Sequence, residues 1–119
     1  MEIKKIASGS SGNAYLINSD LLIECGIPFK KLEKGMGYSL HELTGCLVSH
    51  EHFDHAKSVK DLAKRGIDIF MSKGTREALK LPDSYCYHFL ESGNMINVGQ
   101  YQVYPFDVHH DHETQPCKE

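Results

Sequence analysis

The stretch that decides the reading is Gly45-Cys46-Leu47-Val48-Ser49-His50-Glu51-His52-Phe53-Asp54-His55. Its opening, Gly45 to Ser49, is a continuous run of small and apolar residues, as a central strand buried on both faces requires. The continuation places His50, His52, Asp54 and His55 in one short turn. Beyond it Ala56, Val59, Leu62 and Ala63 recur at helical spacing, and Gly66 closes the stripe. The order strand, turn, helix sets these side chains at the carboxyl end of a strand, where α/β sheets bind their ligands.

Imidazole and carboxylate without thiolate suit zinc, manganese or iron rather than a structural zinc finger. So many ligands in so tight a turn exceed what one ion takes comfortably, and two ions sharing a water use them better. Paired ions about 3.5–4 Å apart generate hydroxide near neutral pH and stabilise both the attacking and the leaving oxygen. The helix that follows adds a field favourable to an anionic substrate.

Working back from this core, Ile3–Ile6, Ala14–Ile17 and Leu21–Glu24 read as three strands of an antiparallel meander. The first connection, Ser8-Gly9-Ser10-Ser11-Gly12-Asn13, lacks the Lys-Ser/Thr of a phosphate loop and reads as a structural turn beside the site. Phe29–Lys34 has helical character, ends at Gly35 and Gly37, and carries Lys30, Lys31 and Lys34 on a basic face whose default reading is solvation. Ser39 followed by Glu42 fits a capping box that opens a short helix through Leu43.

Working forward, Ile67–Met71 reads as a strand, and Ser72 as the cap of a helix that carries Ala78 and Leu79 and is broken by Pro82. Tyr85–Leu90, Met95–Val98 and Tyr101–Val108 read as strands, with Gly99-Gln100 as a hairpin turn. Strands first and strand–helix alternation later predict a mixed α/β sheet protein.

At 119 residues with 40% hydrophobic content, the chain is read as a single domain, 1–119, with a hydrophobic core. A net charge of −3 argues against a surface that coats polyanions. It leaves a nuclease open, because active-site metal ions bring their own positive charge. The sequence shows neither a membrane-length apolar segment nor an apolar signal core behind Met1, so a cytoplasmic location is expected. Cys25, Cys46, Cys86 and Cys117 form no Cys-x-x-Cys pair and read as reduced thiols, with Cys25 and Cys46 in the core and Cys117 exposed. Of the eight histidines, six fall in two clusters, His50 to His55 and His109 to His112, as convergence on one point requires. His41 and His112 read as surface residues, and His88 as a packing residue.

His50-x-His52-x-Asp54-His55 resembles the hallmark His-x-His-x-Asp-His of the metallo-β-lactamase-fold hydrolase superfamily. Ser8 to Asn13 is similar to the Ser-Ser-Gly-Asn turn of its small exonuclease-like branch, which includes bacterial and phage members. Leu22-Ile23-Glu24-Cys25-Gly26 resembles a strand ending in Asp-Cys-Gly, with Glu24 in place of Asp. Phe106-Asp107-Val108-His109-His110-Asp111 resembles the later block that delivers one more metal-ligating histidine.

The resemblance implies that His50, His52 and His110 bind a first divalent ion, and that Asp54 and His55 bind a second. Zinc is expected, with manganese or iron as alternatives. His110 is chosen over His109 because the branch reads His-Asp at this point. Glu24 and Asp111 are expected behind the ligands, Glu24 accepting a ligand histidine's other ring N–H. The implied fold is the N-terminal half of a four-layer αβ/βα sandwich, so the domain is incomplete, with a bridging carboxylate and a final histidine expected beyond Glu119. The implied activity is hydrolysis by a metal-bound hydroxide positioned by Asp54, on an ester or, most in keeping with the Ser-Ser-Gly-Asn turn, a phosphodiester of nucleic acid. The alternative is a non-catalytic metal-binding or assembly module. A half sandwich leaves apolar surface uncovered, so self-association or pairing with a complementary half is expected.

Overall fold

The computed structural model describes residues 2–9, 12–49 and 56–105. Among them, strands β1 (Ile3–Ala7), β2 (Ala14–Ile17), β3 (Leu21–Ile23), β4 (Gly45–Leu47), β5 (Ile69–Met71) and β6 (Tyr87–Phe89) form one sheet in sequential order. β1, β2 and β3 pair antiparallel, whereas β3 through β6 pair parallel. Parallel neighbours need long crossovers. Helices α1 (Phe29–Gly35), α2 (Val59–Lys64) and α3 (Lys73–Leu79) lie in those connections. The expected mixed sheet with an antiparallel opening is therefore present.

Sequence pattern and packing agree along the core. Leu22, Cys46, Val48, Ile69 and Met71 from the β3–β5 region meet Leu32 of α1 and Val59 and Leu62 of α2, all fully buried or nearly so. Ala56 is buried and Ala63 packs against the same cluster, so the apolar stripe seen after the motif is the face that α2 turns inward. α2 closes at Gly66, whose φ of 80° suits a residue without Cβ. Cys25 and Cys46 are completely buried, and Cys25, Cys46 and Cys86 are free thiols. A hydrogen bond with Cys25, followed by burial itself, pushes the Cys46 thiol well up. It stays protonated and packs as a small apolar side chain.

β7 (Ile96–Val98) and β8 (Tyr101–Val103) form the expected hairpin across Gly99-Gln100. It docks at the amino end of β4, where a side chain on Gly45 would come within 3.0 Å of Val98. The Tyr101 hydroxyl donates to the Asp20 carboxylate from the same region.

Three local expectations are corrected. Ser39 and Glu42 make no capping box: Leu40–Glu42 is a single 3-10 turn, and the Ser39 hydroxyl donates to the Met36 carbonyl at 2.7 Å. The competing acceptor one turn back takes the hydroxyl away from the cap. The helix after Ser72 ends not at Pro82 but at Lys80, which adopts a left-handed backbone (φ 54°, ψ 46°) and caps Leu79. The strand from Tyr101 stops at Val103, two residues before Pro105, which has no N–H to donate to a ladder. The rest of the predicted Tyr101–Val108 strand, from 106 onward, lies outside the described residues. Ser72 caps as expected, accepting from the Thr75 N–H at 3.0 Å. No helix among the described residues is long and apolar enough to cross a membrane.

Candidate metal centre

His50, His52, Asp54, His55, His110 and Asp111 lie outside the described residues, as do His109, His112 and Cys117. Among the described residues no group of three His, Cys, Asp or Glu side chains is placed to hold a metal ion. What the structure does place is the frame around residues 50–55, and that frame is specific.

The frame begins at Glu24, just past the carboxyl end of β3. Parallel pairing of Ile23 with Leu47 brings Glu24 beside the end of β4, where its N–H donates to the Leu47 carbonyl at 2.8 Å. The Glu24 carboxylate is buried and receives the Ser49 N–H on Oε1 at 3.1 Å and the Ser49 hydroxyl on Oε2. Ser49 immediately precedes His50, so the carboxylate grips the backbone at the threshold of the ligand turn. Glu24 sits at φ 67°, a left-handed backbone that L-residues other than Gly, Asn and Asp rarely adopt. Such a conformation costs about 1 kcal/mol or more and persists where the surroundings over-determine it. The bonds to Leu47 and Ser49 do so here.

The far end of the turn is fastened to the same segment. Ser58 is fully buried, its N–H donates to the Cys25 carbonyl at 2.9 Å, and its hydroxyl donates to the Ile27 carbonyl at 2.6 Å. Ser58 stands at the cap position of α2, yet its side chain turns back to Ile27 instead of capping. A buried hydroxyl bond of this kind contributes about 1 kcal/mol, and more is lost when its partner is left unsatisfied. Ser49 and Ser58, the described residues on either side of 50–55, are therefore both held by Glu24–Ile27.

The glycine-rich turn closes a third side. Asn13 exchanges side-chain hydrogen bonds with the Gly9 backbone at 3.2 Å, and its carbonyl accepts from the Gly26 N–H at 2.8 Å. A side chain at Gly12 would collide with the Gly26 carbonyl oxygen at 2.5 Å, so the close approach of the two segments demands glycine there. The reading of this turn as structural and adjacent to the strand end therefore holds over its described residues; Ser10 and Ser11 lie outside them.

The remaining histidines behave as read. His88 stacks on Phe70 with centroids 4.9 Å apart and bonds Asp68 at 3.0 Å, a packing role on β6. His41 is exposed beside Glu42. Ser49 and Ser58 carry the frame, and the sequence reading passed over them. Neither carries a spacing signal in the sequence, and only the folded arrangement of the Glu24–Ile27 segment beside them reveals their partners.

This fold of antiparallel meander followed by parallel strands recurs in solved structures. The metallo-β-lactamase fold protein YhfI from Bacillus subtilis superposes with a TM-score of 0.66 over 91% of this chain and 52% of its own, at 21% identity. The chain is one half of a metallo-β-lactamase fold. By sequence, this metallo-β-lactamase half is 30% identical over 119 residues to exodeoxyribonuclease WalJ of Streptococcus pneumoniae serotype 2 (strain D39 / NCTC 7466), the match covering 89% of this chain and 44% of the relative. Exodeoxyribonuclease YycJ of Bacillus anthracis is likewise 30% identical over 118 residues, with the same coverage of 89% and 44%. The chain thus spans less than half the length of the curated relatives it matches. No protein-family profile matches it.

Proposed function

We propose that this chain supplies the metal-binding half of a phosphodiester hydrolase acting on nucleic acid in the cytoplasm. The observation that supports it is the anchorage of Ser49 and Ser58, which flank residues 50–55, on Glu24–Ile27 at the carboxyl end of the parallel strands. The match to two proteins named exodeoxyribonucleases supplies the substrate class. The donor set fits hard-to-borderline divalent ions, zinc first and manganese or iron as alternatives. In this reading His50, His52 and His110 hold a first ion, and Asp54 and His55 a second. When bound, such ions supply a water acidified to near neutrality and positive charge for the phosphoryl oxygens. Asp54 also orients the attacking water. Glu24, already buried at the threshold of the turn, accepts the spare ring N–H of a ligand histidine and fixes its tautomer, and Asp111 serves likewise near His110.

The test is to load the chain with zinc or manganese and follow an end-labelled DNA strand. Progressive shortening from one end, abolished by a chelator, is the expected result. Stoichiometric metal binding with no hydrolysis of DNA or of a small phosphodiester would overturn the hydrolase reading in favour of a metal-binding or assembly module.

The coverage of the relatives extends the proposal to assembly. Tyr85, Phe89 and Tyr104 are exposed, and β6 is an edge of the described sheet. Apolar side chains beside an unpaired strand edge invite association. Self-association or pairing with a complementary half is the expected behaviour, and a strictly monomeric sedimentation profile with cooperative unfolding would refute it.

A further inference from the structure

The chain is acidic overall, yet among the described residues one groove has lysines as its only charged lining. Lys4 and Lys5 of the edge strand β1, with Lys31 and Lys34 of α1, line a cavity of about 560 Å³, Lys4 from the face it shares with Ile6 and Lys5 from the strand's edge. Its floor is apolar, made by Ile6, Ala7, Ile27 and Pro28, and no acidic side chain among the described residues lines it. Among the described residues none of the four lysines is engaged in an ion pair. Lysines on an edge strand guard against edge-to-edge pairing, and a cation near a helix C-terminus is favoured by the helix dipole. Those effects account for Lys4, Lys5 and Lys34 singly. They do not account for Lys31, nor for the gathering of all four along one groove.

The direction of the groove matters. β1 runs parallel in sense to β3, since each pairs antiparallel with β2, so Ala7 lies at the same end of the sheet as Glu24. Ile27, at the groove wall, is the residue whose carbonyl holds Ser58. The groove therefore opens toward the segment that fastens residues 50–55. Lysines that track phosphates are the electrostatic half of a single-strand channel, and the floor of Ile6, Ala7, Ile27 and Pro28 offers apolar contact to the sugars.

We propose that the groove between β1 and α1 binds the backbone of a single DNA strand through Lys4, Lys5, Lys31 and Lys34 and leads it toward the His50–His55 turn. The inference rests on the nucleic-acid reading above and names the surface that would hold that substrate away from the reacting bond. The interaction is electrostatic and independent of base sequence.

Binding is measured by the anisotropy of a fluorescent oligothymidylate of about twenty nucleotides, with chelator present so that no strand is cut. Four neutralised phosphates give a slope of log K against log salt near −3, so affinity falls about 50-fold between about 50 and 200 mM salt. Lys31→Gln with Lys34→Gln should halve that slope to roughly −1.4. Lys60→Gln with Lys64→Gln, which removes equal charge from α2, should leave it unchanged. Hydrolysis of a small phosphodiester by the metal-loaded Lys31/Lys34 variant should match the parent chain, separating loss of the groove from loss of the centre. Circular dichroism of both double variants establishes that they are folded, and the Lys4→Gln, Lys5→Gln pair tests the opposite wall independently. Equal slopes in all variants, or no DNA binding by the parent chain at low salt, would overturn the proposal. DNA binding with the predicted slopes but no cleavage would defeat the hydrolase reading and leave the groove standing.

Discussion

Alanine at both His50 and His52 is expected to leave a folded chain that retains neither its first metal ion nor any metal-dependent hydrolysis. Loss of an outer partner of a metal ligand already costs about 10–100-fold in affinity or activity. Removing two of three protein ligands should far exceed that and reduce turnover to the background of the buffer. The fold should survive, because the core that surrounds the turn is built from Leu22, Cys46, Val48, Ile69, Val59 and Leu62, none of which the substitution touches. Atomic absorption after dialysis reads the metal, and thermal unfolding without metal reads the fold. Undiminished metal content in the double variant would sink the assignment of these histidines. A variant that loses metal yet keeps parent-like apo stability would separate ligation from architecture.

The sequence displayed its architecture more fully than its site. Strands, helices and the hairpin could be placed because each carries a periodic apolar pattern or a turn residue: Leu22 and Cys46 in short apolar runs, Val59 and Leu62 on one helical face, Gly99 between two strands. Local errors arose where two acceptors or two stops competed. Ser39 preferred the Met36 carbonyl to a cap, and Lys80 ended its helix before Pro82 was reached. The His50–His55 motif was read from residue type and spacing, and it lies outside the described residues. The frame was not so legible, because Glu24, Ser49 and Ser58 are far apart in sequence or bland in context. Their role exists only once β3 and β4 lie side by side. Similarly, Lys4 and Lys5 belong to one sequence segment and Lys31 and Lys34 to another, so a basic helix face was visible and a four-lysine groove was not.

The bonds that hold Ser49 and Ser58 are confined to one part of the chain. All of them come from residues 9–58. Ser49 and Ser58 are thus placed by local topology, namely meander, parallel step and crossover, whereas the hairpin β7–β8 docks at the opposite end of the sheet on Gly45 and Asp20.

Glu24→Ala is the sharpest probe of that frame. It removes the acceptor of both Ser49 bonds and any acceptor for a ligand histidine, while leaving every expected metal ligand in place. Metal affinity should fall about 10–100-fold, the range for loss of a supporting carboxylate. Stability should move much less than a core truncation would move it. The lost hydrogen bonds contribute about 1 kcal/mol each, and Ser49 is exposed enough for water to replace part of them. Glu24→Asp discriminates further. Aspartate tolerates the left-handed backbone at φ 67° better than glutamate does, but its carboxylate is one methylene shorter. If the carboxylate merely relieves backbone strain, Asp should match or exceed the parent in metal affinity and stability alike. If reach to Ser49 and the ligand turn is what counts, Asp should be as stable as the parent and bind metal more weakly, though better than Ala. Titration of apo protein with zinc under competition from a chromogenic chelator gives the affinities, and denaturant unfolding gives the stabilities. Equal zinc affinity for the parent and the Ala variant would show that Glu24 only holds the strand end and takes no part in shaping the centre.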